Sequence, residues 1–146
     1  MANLAEYVRG KQEDQSLLDA NAAQMREDWQ CELERLMSSI DGWLSPAVEA
    51  GLKLTRASVT IAEQGLGAYD APLRIIELAG NRVKIVPKAR LVVGGYGRVD
   101  VEARPETALL IYWKPEGCWY ILRNRDWRSR ELLSQDSFER LMEAFL

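Results

Sequence analysis

Asp100 and Glu102 stand two residues apart in a stretch that alternates polar and apolar side chains, and Lys114 closes the next apolar run. Two carboxylates on one strand face with a lysine on a neighbouring strand could hold magnesium and a phosphate, as a metal-dependent nuclease requires. A glutamate and lysine two apart on one strand, the usual companion of that chemistry, are missing here, and Arg98 and Arg104 flank the acids. Cross-strand ion pairing on a solvated face explains the same residues. A magnesium-dependent nuclease therefore ranks third among the functions considered.

A second group of side chains could bind rather than react. Trp113, Trp119, Tyr120 and Trp127 interleave with Lys114, Arg123, Arg125, Arg128 and Arg130. Indoles stack on bases and guanidinium groups hold phosphates, so this mixture suits single-stranded nucleic acid. The same residues also serve as core, rim and solubilising side chains. Trp113, Trp119, Arg123, Arg125, Trp127, Arg128 and Arg130 are the candidate contacts for nucleic acid or a protein partner.

Other chemistries find no support. Gly94-Gly95-Tyr96-Gly97-Arg98 resembles a phosphate loop in composition, but it lacks GxGxxG spacing and a P-loop lysine, and it leads into a strand. Without a helix N-terminus the anion-binding logic fails, so a glycine turn between strands is expected. Histidine is absent, and Cys31 and Cys118 are far apart with no CxxC spacing. No zinc site, catalytic dyad or triad, metal or cofactor is expected from these residues. The two thiols are expected to stay free.

Net charge is −3 over 146 residues, unevenly spread. Residues 1–64 carry a balance of −5, residues 74–130 one of +6, and residues 131–146 one of −3. Acidic helices and a basic strand region either complement each other within the fold or leave a basic face for an anionic partner. No apolar run approaches the roughly 18 residues of a membrane span, and no basic-then-apolar leader opens the chain, so a cytoplasmic protein is expected.

The elements that must position these residues begin with a long helix, expected over 16–44. Leu18, Ala22, Met25, Trp29, Leu33, Leu36, Ile40 and Trp43 recur at steps of three and four, which makes one apolar stripe. Asn3 and Glu6 have capping-box spacing ahead of a short helix over 4–9 that Gly10 would stop. Ser45-Pro46 reads as the start of one further turn ending at Gly51. From residue 52 the period changes to two. Strands are expected over 52–62, 72–78, 82–86, 91–93, 98–103, 108–113 and 118–123, with a hairpin turn at Gly80-Asn81 and a turn at 104–107. Residues 124–130 form a charged loop. Ser134 caps a final helix over 135–146, with Leu133 and Phe138 at staple spacing.

That order describes one α+β domain over 1–146, helical over 1–50 and an antiparallel meander of six to seven strands over 52–123, with a C-terminal helix. A helix-capped β-barrel, as in pleckstrin-homology-like domains, is the alternative on element order alone. The function favoured is a non-enzymatic bacterial accessory protein of the immunity or chaperone kind, acting by protein–protein interaction with a partner or as a homodimer. Single-stranded nucleic-acid binding through 113–130 is the runner-up, and no membrane role is expected.

Overall fold

The computed structural model of the chain describes residues 3–90 and 97–146. The element order is α1 (Leu4–Glu49), β1 (Lys53–Glu63), β2 (Gly67–Leu78), β3 (Asn81–Ala89), β4 (Gly97–Ala103), β5 (Glu106–Trp113), β6 (Cys118–Leu122), a 3₁₀ turn at Trp127–Ser129, β7 (Glu131–Leu132) and α2 (Gln135–Phe145). The strands form one open antiparallel sheet in sequence order, β1 to β7, and not the closed barrel. Both helices pack on one face of it. The expected strand at 91–93 and the glycines Gly94 and Gly95 lie outside the described residues.

The two expected N-terminal helices and the extra turn are a single helix of 46 residues, roughly 69 Å long. Asn3 caps it, its Oδ1 accepting from the Glu6 amide at 3.0 Å. Gly10 does not stop it. A glycine inside a helix costs about 1 kcal/mol relative to alanine, too little to end a helix that continues cooperatively on both sides. Pro46 lies within the last turns rather than at a start, and removes only the bond to the Gly42 carbonyl. The helix ends where Gly51 adopts a positive φ of 116°. There the Gly51 amide donates to Val48 and the Leu52 amide to Ala47, each at 3.0 Å, in a Schellman closure.

Trp29, Leu33, Leu36, Met37, Ile40 and Leu44 press this helix onto Ile76, Val83, Ile85, Val99, Val101 and Leu110. Val99 and Val101 face α1, whereas Arg98, Asp100 and Glu102 take the outer face, as their alternation requires. α2 completes the layer, with Phe138 against Trp43 at 5.5 Å between ring centroids. On the outer face Leu109, Ile111 and Leu122 form a smaller apolar cluster under Trp127 and Tyr120.

The hairpin of β1 and β2 is longer than the sequence suggests. β2 begins at Gly67 and pairs with β1 along its whole length, while its pairing with β3 stops at Arg74 opposite Ile85. Continuing that register sets Pro72 opposite Pro87, and neither proline can donate to the ladder. The proline pair therefore parts the sheet, and the hairpin tip twists over α1 instead. Arg26 donates to the Leu66 carbonyl, and Gln30 to the Asp70 carbonyl at 2.8 Å. Two turns also differ in register from expectation. The β2–β3 turn uses Ala79 and Gly80, both at positive φ. The β4–β5 turn runs from Ala103 to Glu106 with Pro105 in third place after a cis peptide.

Candidate interaction surfaces

The residues singled out for binding divide between two faces of the sheet. Trp119 and Tyr120 are consecutive in β6 and so point oppositely. Trp119 faces α1, stacked on Trp29 at 5.8 Å and against Tyr112 at 5.2 Å. Tyr120 faces outward. There Trp127 meets Trp113 at 5.3 Å and Tyr120 at 5.3 Å, and the Arg130 guanidinium lies 4.8 Å above Trp127 and 5.3 Å above Tyr120. Trp113, Trp127 and Arg130 are thus brought together. Arg123 turns away to cover the Phe145 ring at 5.6 Å. Arg125 and Arg128 are exposed on the loop. Asp126 shapes that loop, accepting from the Arg128 amide at 3.0 Å. Beside this cluster Tyr120 donates to Glu116, which pushes the phenol up to about 12.

The acids considered for catalysis are engaged elsewhere. Arg98 grips Asp100 in a bidentate pair, 2.7 Å from Nε and 3.1 Å from Nη2, and that hydrogen bonding raises Arg98 further despite burial. Lys88 holds Glu102 at 3.1 Å. Asp100 opposes Leu109 on β5, five residues before Lys114, which is roughly 17 Å along the strand. The two carboxylates and the lysine do not form one site. Among the described residues no group of three or more His, Cys, Asp or Glu side chains is placed to hold a metal ion.

Lys114 instead joins a cleft of about 330 Å³ between α1 and the ends of β3 and β5. Met25, Trp29 and Tyr112 give it an apolar floor, and Arg35, Arg90 and Lys114 face Asp28 and Glu32 around it. Arg35 is already bound to Glu32 at 2.6 Å. The Trp29 indole donates to the Tyr69 hydroxyl at 3.1 Å, and Tyr69 donates to Glu63 at 2.9 Å. Glu63 also accepts from the Arg90 amide at 3.0 Å. Burial first, and then the bond to Glu63, raise the Tyr69 phenol well above its ordinary value, so it stays a neutral donor. These bonds tie the hairpin tip to the helix and to the end of β3.

The first half of α1 is a further surface. Its buried residues begin at Trp29. Residues 4–24, about 31 Å of helix, hold no fully buried side chain and project as an arm whose base, at Leu18 and Ala22, borders the hairpin tip. Leu4 is 75% exposed, Tyr7 61%, Val8 44%, Leu17 64% and Leu18 62%. Leu18 continues the stripe of Trp29, Leu33 and Leu36, yet it is uncovered. The sheet reaches only to the notch where Leu18, Ala22 and Arg26 meet Gly65, Leu66 and Gly67. Periodicity identifies an apolar stripe, but it carries no information about how far the covering layer extends. No helix among the described residues is long and apolar enough to cross a membrane. The chain matches no protein family, no curated protein and no solved structure.

Proposed function

We propose that this is a non-enzymatic binding protein that docks another protein chain along the arm of α1, an accessory role of the immunity or chaperone kind in a bacterial cytoplasm. One observation carries it: the apolar stripe of α1 continues where the sheet stops. Leu4, Val8, Leu18 and Ala22 lie within about 50° of the mean direction that Leu33 and Ile40 take into the core. A helix exposing such a stripe gains by burying it in a partner, the helix-in-groove mode of recognition. Free Cys31 and Cys118 suit a reducing compartment.

The test is the size of the native assembly in gently lysed source cells, compared with that of a Val8→Asp/Leu18→Asp variant. The wild type is expected in a particle larger than one chain, and the variant as a lone chain. Equal sizes would refute docking by the arm.

Single-stranded nucleic-acid binding is the second reading, favoured by exposed Arg123, Arg125 and Arg128 around the half-buried Trp127. It is weaker because Trp127 and Arg130 already spend their faces on one another and on Trp113 and Tyr120. The nuclease reading has least support, since Asp100 and Glu102 each hold a cation.

A further inference from the structure

We infer that the arm's partner is a second copy of this chain, paired with it as an antiparallel two-helix coiled coil centred near Glu13. This rests on the arm being a docking element, and adds what docks there and in which register. Leu4, Val8, Lys11, Gln15, Leu18 and Ala22 advance by alternating steps of four and three, the a/d seam of a heptad. Turning a second copy about an axis at residue 13 brings Leu4 against Ala22, Val8 against Leu18 and Lys11 against Gln15 of the second copy. Every apolar position then meets an apolar one, and the two polar positions meet each other. Such self-complementarity is the condition for an isologous twofold contact.

Charge selects the same orientation. Around the axis, Lys11 of each copy falls within about one residue's rise, roughly 1.5 Å along the helix, of Asp14 of the other. Each lysine therefore has an acid of the other copy beside it, the two Asp14 carboxylates lying between the two Lys11 ammonium groups. A parallel pair would set Lys11 against Lys11 in the seam. It would also drive the second copy's helix beyond residue 24 into the hairpin tip at Gly65–Gly67, which already occupies that side of α1. The antiparallel pair brings only the start of the second copy's helix, at Leu4, beside that tip, where Ala22 is half-buried. A membrane surface is the poorer occupant, because residues 4–24 hold Arg9 and Lys11 against Glu6, Glu13, Asp14 and Asp19.

The purified full chain should sediment at twice its 16.6 kDa mass at equilibrium, and Val8→Asp/Leu18→Asp at the single mass with an unchanged unfolding midpoint. In a Cys31→Ser/Cys118→Ser background, Val8→Cys with Leu18→Cys should oxidise to a covalent dimer, whereas Val8→Cys alone should not. Lys11→Asp should weaken the dimer at least tenfold, and adding Asp14→Lys should restore it. A wild type that stays monomeric at all concentrations overturns the inference, as does a dimer indifferent to Val8→Asp/Leu18→Asp. Ready crosslinking of Val8→Cys alone would show parallel pairing and overturn it too. Arm-dependent co-sedimentation of the chain with phosphatidylserine vesicles would assign the arm to a membrane and do the same. A monomer in pure solution that still joins a larger, arm-dependent particle in cells would sink only the second copy. A single-chain size in both settings would sink the docking arm itself.

Discussion

Asp41 joins helix and sheet at the level of single side chains. It accepts from Arg74 at 2.9 Å and from Arg56 at 3.1 Å, and Arg74 is 7% exposed. Burial alone would raise the Asp41 carboxyl, but the two arginines outweigh it and hold the group below its ordinary value. A carboxylate lowered on folding stabilises the folded chain above its unfolded pKa, and that contribution disappears as pH falls through the folded value. Asp41→Asn should therefore cost about 3 kcal/mol at neutral pH by leaving the buried Arg74 charge unpaired. As pH falls from about 4 through that lower folded value, its unfolding midpoint should converge on that of the wild type. Parallel curves over the whole range would show that Asp41 contributes no charge effect.

Gly97 and Trp127 mark what residue types alone conceal. Gly97 reads as one glycine among several in a turn, yet it is buried in β4. A Cβ there would sit 2.3 Å from the Trp29 ring. Gly97→Ala should lower stability by about 1–3 kcal/mol through overpacking and shift Trp29 fluorescence. An unchanged midpoint would mean that the helix stands further from β4. Trp127 sits among arginines in the sequence, which suggests a ligand, whereas its ring covers Leu109, Ile111 and Leu122. Trp127→Ala should cost about 2 kcal/mol, while Arg125→Ala/Arg128→Ala should barely move the unfolding midpoint. The reverse order, with oligonucleotide binding lost in the arginine variant, would restore the nucleic-acid reading.

At the scale of elements, α1 is two helices in one. Leu36 lies mid-stripe under the sheet and is 3% exposed, whereas Leu18 has the same phase on the arm. Leu36→Ala should cost about 2–5 kcal/mol of body stability, and Glu34→Ala on the polar face almost nothing. Leu18→Ala should leave the unfolding of the isolated body alone and act only on assembly. Comparable losses at Leu36 and Leu18 in a monomer would mean that the arm folds back on the body. The strands were legible because their side chains alternate and their turns carry glycine or proline. The first half of β2 was not legible, because Gly67–Ala71 looks like loop until its pairing with β1 is seen. Its meaning depends on Pro72 and Pro87 standing opposite each other, a relation set by register and invisible in either segment alone.

At the scale of the molecule, the order of helices and strands was readable because each element carries its own period, cap or turn. Asp41 joins the acidic helix to the strands, where it holds Arg56 and Arg74. Several other basic side chains, including Arg82, Lys84 and Arg104, line the outer sheet face. What no local pattern could give was the boundary between covered and uncovered helix, since that depends on where the twisted hairpin ends in space. The candidate surface lies just beyond that boundary. Hydrogen exchange along α1 in the assembled wild type, beside Val8→Asp/Leu18→Asp, tests arm docking most directly. Protection should extend from the body through residues 4–24 in the wild type and retreat to about residue 25 in the variant, with the sheet unchanged. Arm amides that exchange equally fast in both would contradict a docked arm.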